Sequence, residues 1–206
     1  LDISSRKNNK CIDIDLIKKI RSEIYVPLAV GGGINNIKQV SELINEGVEK
    51  VIINTSSFNS NLVEQISKKF GSQSVVVSID VKKNSENIYE IFSDNGNTMQ
   101  NKNLLNHIKF VQNQGAGEIL LTSIDREGTK EGFDKDLYEY VESTVTVPLI
   151  ANGGIKNIEE IINFFDNFSF NSVSCGNLFV YFGLREAVLI NYPDQNEIEE
   201  IMKKYE

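Results

Sequence analysis

The chain has 206 residues, enough for one domain with a sizeable core, and its 29 acidic residues against 21 basic ones leave a net charge of −8. That balance speaks against non-specific nucleic-acid binding and favours solubility, so an anionic ligand would have to be met by local N–H groups. No apolar run approaches the roughly 18 residues that span a membrane. Two cysteines, Cys11 and Cys175, are too few and too scattered for a disulfide framework, and no secretory signal is read. A cytoplasmic protein is expected.

In chain order, Leu1-Asp2-Ile3 reads as the end of a strand, and the first residue is not Met, so a preceding segment is expected. Ile14, Ile17, Ile20 and Ile24, then Ile37, Val40, Leu43 and Ile44, have the three-and-four spacing of helices with one buried face. A strand over 27–30 separates them and runs into Gly31-Gly32-Gly33. The next strand, 50–53, leads to Asn54-Thr55 and a helix over 61–70. The β-branched run 74–79 ends at Asp80, and the alternation over 82–93 suggests a small hairpin. Then come a helix over 104–112, a strand over 118–121, the polar loop from Ser123 to Gly132, and a helix over 135–143. A strand over 148–151 runs into Asn152-Gly153-Gly154, followed by a helix over 158–165. The strand 172–174 precedes Gly176-Asn177, and a last helix is read over 195–205. Strands alternating with helices predict a parallel sheet covered by helices.

The segment from Pro27 to Ile37 returns from Pro148 to Ile158, an offset of 121 residues. At that offset Phe58 falls on Phe179 and Asn54-Thr55-Ser56 on Cys175-Gly176-Asn177; Leu1-Asp2-Ile3 resembles Ile124-Asp125-Arg126 at 123. Two similar halves favour a closed (βα)8 barrel over an open sheet. The mate of the strand ending at Asp80 would lie before Leu1, so roughly 45–50 further residues are expected there. The expected domain is therefore residues 1–206 as a single, N-terminally incomplete (βα)8 TIM barrel, whose exposed strand edges would leave it unstable alone.

Active sites of such barrels lie at the C-terminal ends of the strands. A Gly-Gly turn there can be no more than a tight connection, but its recurrence in both halves predicts two anion sites built from backbone N–H groups. Asn54-Thr55 and Gly176-Asn177 fit beside them. Asp80 is expected to act as a partly buried general acid or base; the alternative is a carboxylate that caps the following loop. The 123–132 loop is read as substrate contact. Cys175 is read as a packing residue, and His107, within its helix, as a surface or half-buried residue. No metal signature and no Ser–His–Asp arrangement is present.

These segments resemble the cyclase (synthase) subunit of imidazole glycerol phosphate synthase, a (βα)8 barrel of histidine biosynthesis. The likeness runs from Leu1 to about Phe182 and is carried by Val30-Gly31-Gly32-Gly33-Ile34, by Lys50 through Thr55, by Phe70 through Asp80 and by Gly115 through Thr129. It implies that Asp80 is one of two catalytic aspartates, the other belonging to the expected preceding segment. It further implies that Gly32, Gly33, Asn54 and Thr55 hold one phosphate of a ribulosyl–ribosyl bisphosphate, and Gly153, Gly154, Gly176 and Asn177 the other. Asp2, Thr122, Glu127 and Gly128 would line the middle. Ammonia from a glutaminase subunit, its heterodimer partner, would enter from the far end past Lys50 and Glu118, half of a charged ring. The chemistry implied is ammonia-dependent cyclisation and C–N cleavage, giving imidazole glycerol phosphate and an aminoimidazole carboxamide ribotide, with no cofactor.

The chain departs from that pattern at Asn152, Asn177 and Glu127, where Ser, Ser and Asp are usual, in the Phe-rich stretch 164–170 and in the tail 187–193. The tail resembles a paralogous branch associated with amidation of a surface-polysaccharide sugar. That branch is one alternative; a non-catalytic barrel that docks and activates the glutaminase is another.

Overall fold

The computed structural model describes residues 1–2, 12–170, 172–182 and 187–202. Ile3, Cys11 and the last residues of the final predicted helix lie outside them.

The chain order is α1 (Ile14–Glu23), β1 (Ala29–Gly31), α2 (Ile37–Asn45), β2 (Lys50–Ile53), α3 (Ser56–Asn59), α4 (Leu62–Phe70) and β3 (Val75–Lys83). There follow β4 (Tyr89–Ser93), β5 (Thr98–Asn103), α5 (Leu104–Asn113), β6 (Glu118–Ser123), α6 (Lys135–Glu142), β7 (Leu149–Asn152), α7 (Ile158–Asn167) and β8 (Ser172–Ser174). The short hairpin strands β9 (Tyr181–Phe182) and β10 (Ala187–Val188) precede α8 (Gln195–Met202). No helix among the described residues is long and apolar enough to cross a membrane.

Six strands form a parallel sheet in the order β1-β2-β3-β6-β7-β8, the α/β arrangement of a TIM-barrel wall. Alternate residues on these strands face opposite ways. Val30, Val51, Ile53, Val75, Val77, Ile79, Ile119, Leu121, Leu149 and Ala151 join the core under the helices. The intervening positions, including Lys50, Ile52, Ser78, Asp80, Glu118, Thr122 and Asn152, face the inner side. The repeated strands start at Ala29 and Leu149, after Pro27 and Pro148, since proline has no N–H for the ladder.

The repeat is visible in the caps. The Asn36 side chain accepts from the N–H groups of Lys38 and Gln39, and Asn157, 121 residues later, accepts from Glu160 N. One residue of slippage appears at the next strand. Gly31 pairs with Ile52, whereas Asn152 pairs with Ser174, so the spatial mates of Asn54-Thr55 are Gly176-Asn177 and not Cys175-Gly176.

The insert after Asp80 is larger than the predicted hairpin. β3 continues to Lys83 and pairs antiparallel with β4, which carries a third strand, β5. Thr98–Asn103 is polar and almost wholly exposed, so it has no alternation to reveal it. His107 is also corrected. It is buried, 2% exposed, and stacked on Phe58 with ring centroids 4.4 Å apart. The burying residue comes from α3, a four-residue helix that the sequence pattern does not announce.

Candidate active site

A cavity of about 650 Å³ opens where the inner side of the sheet meets the C-terminal ends of the strands. The structure brings Asp2, Gly32, Gly33, Asn54, Thr55, Asp80, Thr122 and Glu127 to its lining. Gly128, Gly153, Gly154, Gly176 and Asn177 line a separate space of about 20 Å³, room for a water, and Glu127 borders both. Lys50 and Glu118 sit elsewhere, at the N-terminal ends of β2 and β6. There they form an ion pair across β3. Val76 pairs with Glu118 and Asp80 with Thr122, so four residues, roughly 13 Å at ~3.3 Å each, separate this pair from Asp80.

Asp80 is held from both sides, pairing with Phe92 on β4 and Thr122 on β6. The insert therefore turns a strand end into a double-sided ladder. Ser78 Oγ donates to Asp80 Oδ1 at 3.3 Å, and the Thr122 side chain on the paired strand also favours the charged carboxylate. Burial outweighs both and pushes Asp80 up to about 6. A carboxyl poised there can hold or release a proton near neutrality.

The two Gly-Gly turns adopt backbones that only glycine takes easily. Gly32 and Gly33 have φ of 140° and 64°, and Gly153 and Gly154 have 107° and 87°. The helices that follow are capped by their own Asn36 and Asn157, and α7 carries Glu159 and Glu160 in its first turn. An anion at either turn would thus rest on the turn itself rather than on a bare helix end, a refinement of the sequence expectation.

Around the first turn, Asn54 Nδ2 donates to Ser78 O at 3.1 Å, and Thr55 Oγ1 donates to Asn54 Oδ1 at 3.3 Å. Asp94 N donates to Thr55 Oγ1 at 3.4 Å, which ties the tip of the β4–β5 turn to this loop. Around the second, Gly132 N donates to Gly154 O at 2.8 Å, and a Cβ on Gly154 would lie 2.2 Å from Gly132 O. Asp125 turns away from the cavity and accepts from Lys83 N at 2.8 Å. Cys175 packs against the core, as expected, and burial pushes its thiol up to about 11, with Glu127 adding to the shift.

Sequence reasoning missed Ser78, Asn95 and Asn97 as cavity-lining residues. Asn95 and Asn97 belong to the turn Asp94-Asn95-Gly96-Asn97, where residues 94, 95 and 96 all have positive φ. That composition is a plain turn signal, but only the unseen strand β5 brings it over the cavity. Among the described residues lining the large cavity are three carboxylates, Asp2, Asp80 and Glu127, and no lysine or arginine; Lys130 lines the small space. No group of three or more His, Cys, Asp or Glu side chains among the described residues could hold a metal ion.

Residues 1–184 match the family described as "Histidine biosynthesis protein". A Pseudomonas aeruginosa protein provisionally named imidazole glycerol phosphate synthase subunit hisF2 is 40% identical over 200 residues, 97% of this chain and 80% of that protein. Imidazole glycerol phosphate synthase subunit HisF of Pelodictyon phaeoclathratiforme is 38% identical over 190 residues, 91% of this chain and 75% of its own length. The Helicobacter hepaticus subunit HisF is 41% identical over 166 residues, 80% and 66% of the two chains. With its parallel sheet, its paired Gly-Gly turns and Asp80 at the mouth, the chain belongs to the histidine-biosynthesis family of TIM-barrel proteins.

Proposed function

We propose that the protein is the cyclase subunit of an imidazole glycerol phosphate synthase. It would take ammonia from a glutaminase partner to convert a ribulosyl–ribosyl bisphosphate into imidazole glycerol phosphate and an aminoimidazole carboxamide ribotide. The observation that carries this reading is Asp80, a carboxyl raised to about 6 on the wall of a cavity bordered by the first Gly-Gly turn, with the second turn beyond Glu127. Gly32, Gly33, Asn54 and Thr55 would hold one phosphate, and Gly153, Gly154, Gly176 and Asn177 the other. Asp2, Thr122, Glu127 and Gly128 would contact the substrate between them. Ammonia condenses with the ketose carbonyl and water leaves; ring closure and C–N cleavage follow, with Asp80 giving and taking protons. Lys50 and Glu118, at the opposite end of the sheet, would gate ammonia arriving from the glutaminase. The chain would work as one barrel domain.

A second reading, amidation of an activated sugar by the same kind of barrel, is favoured by the cavity lining. Three carboxylates and four asparagines (54, 95, 97 and 152) without a basic side chain suit sugar hydroxyls better than a phosphate dianion. Turnover of the bisphosphate by the protein supplied with ammonium salt separates the two. The first reading predicts turnover that falls 10²–10⁴-fold in Asp80→Asn, the size of effect expected for loss of an acid–base group, about 10²–10⁴. No turnover by folded protein, with product formed from an activated sugar instead, would overturn it.

A further inference from the structure

Asp80, Thr122 and Asn152 stand side by side on β3, β6 and β7: Asp80 pairs with Thr122, and Thr122 with Asn152. All three line the large cavity. Asn152 Nδ2 donates to Thr122 Oγ1 at 3.2 Å. A hydroxyl has one proton to give. With the amide N–H on a lone pair of the threonine oxygen, that proton is left for an acceptor on the other side, where Asp80 is the paired neighbour whose carboxyl the Thr122 hydroxyl helps hold down.

Asn152 is itself anchored from behind the sheet. Its backbone N–H donates to the Tyr138 hydroxyl at 3.0 Å, and that hydroxyl shares its own proton between the carbonyls of Leu121 (3.3 Å) and Asn152 (3.1 Å). Tyr138 is completely buried, edge-on to Phe164 with centroids 5.1 Å apart and beside Phe133, Phe168 and Phe170. The Phe-rich stretch after β7 thus locks the tyrosine that locks Asn152. A hydrogen bond fixed at one end in this way keeps its direction inside a low-dielectric site.

We propose that Asn152 is a positioning residue for Asp80: its side-chain amide turns the Thr122 hydroxyl so that the proton points at the Asp80 carboxylate, and so sets how tightly Asp80 holds its own proton. This rests on Asp80 being the acid–base group. The other charged groups on the cavity wall are Asp2 and Glu127. On the neighbouring strand β4, Phe92 faces Asp80 in the ladder, and Lys82 lies over the Phe92 ring with Nζ 5.0 Å from its centroid. The backbone N–H of Asp94 donates to Thr55 Oγ1. The Thr122→Val background separates the contribution of Asn152 from theirs.

The test follows the Asp80 carboxyl by 13C NMR across pH in protein labelled at aspartate, with the resonance identified by its loss in Asp80→Asn. Thr122→Val should raise the Asp80 midpoint by about one unit, a tenfold tighter hold on the proton. Asn152→Ala should raise it by about half a unit, roughly threefold, in the wild-type background and not at all on top of Thr122→Val. Asn152→Asp keeps the shape, takes the Thr122 proton for itself and should raise the midpoint further than Asn152→Ala; it serves if the alanine variant does not fold. An unchanged midpoint in folded Asn152→Ala or Asn152→Asp would overturn the proposal, as would an equal shift for Asn152→Ala when Thr122 is valine. No substrate enters this titration. A midpoint that moves as stated in a protein that turns over no bisphosphate would therefore sink the proposed reaction and leave the role of Asn152 standing.

Discussion

The turn after β1 and the turn after β7 carry the same Gly-Gly pair in the same left-handed backbone, yet one borders about 650 Å³ of cavity and the other about 20 Å³. Behind the first, Phe58, His107 and Phe110 are stacked, and Ser57 Oγ bridges His107 Nε2 (3.4 Å) to the carbonyl of Asn54 (2.6 Å). Behind the second lie Tyr138 and its phenylalanines, with no imidazole among the described residues there. The two halves share the backbone of the turn and differ in what surrounds it. The first turn shares its cavity with Asp80. The second is packed against the 124–132 loop, so the two ought to respond differently to the same perturbation.

The largest difference should come from adding a methyl group. Gly154→Ala would put Cβ 2.2 Å from the Gly132 carbonyl at φ 87°, and should cost about 3 kcal/mol or more in urea unfolding because strain and overlap add. Gly33→Ala carries the backbone penalty at φ 64°, and should cost about 1 kcal/mol while weakening phosphate binding. Equal costs would mean that the two turns are not packed as described.

A somewhat smaller effect, readable only with pH, separates the stacked imidazole from the cavity acid. Burial, with Lys102 adding to it, lowers His107 from 6.5 to about 4. Between those values the unfolded chain binds more protons, so stability falls as pH drops through that window, by about 3 kcal/mol in full. Asp80 works oppositely. Its pKa is raised from 3.8 to about 6, the folded state binds more protons between them, and stability rises by about 3 kcal/mol as pH drops from 6 to 4. The wild type should therefore change little between pH 7 and 4.5 on account of these two groups. His107→Phe should gain stability on acidification relative to wild type, and Asp80→Asn should lose it. Urea midpoints at the two pH values check both signs, and parallel behaviour of the variants would break the comparison.

Much of this was legible in the sequence, for physical reasons that differ by element. The six parallel strands carry β-branched residues on the core side, and a Gly-Gly pair has few uses other than a left-handed turn. Asp80 stood out because a carboxylate at the end of Val75-Val76-Val77-Ser78-Ile79 has no reason of packing to be there. Strand β5 did not stand out, since Thr98–Asn103 is stabilised by its ladder to β4 and hardly by burial. With it went Asn95 and Asn97. The burial of His107 depends on Phe58 reaching across from α3, a contact over 49 positions that no local pattern encodes. The one-residue slippage at β8 likewise needed the ladder, because the repeat in the sequence keeps its 121-residue offset as far as Phe179.

The central claim is that the two turns grip the two ends of one bisphosphate with Asp80 between them. The most direct measurement is 31P NMR of the ribulosyl–ribosyl bisphosphate titrated with Asp80→Asn protein, which should bind without turning over. The account predicts one molecule bound per chain with both phosphorus resonances shifted, one reverting in Gly33→Ala and the other in a Gly176→Ala variant. A single perturbed phosphorus, or two molecules bound per chain, would contradict it.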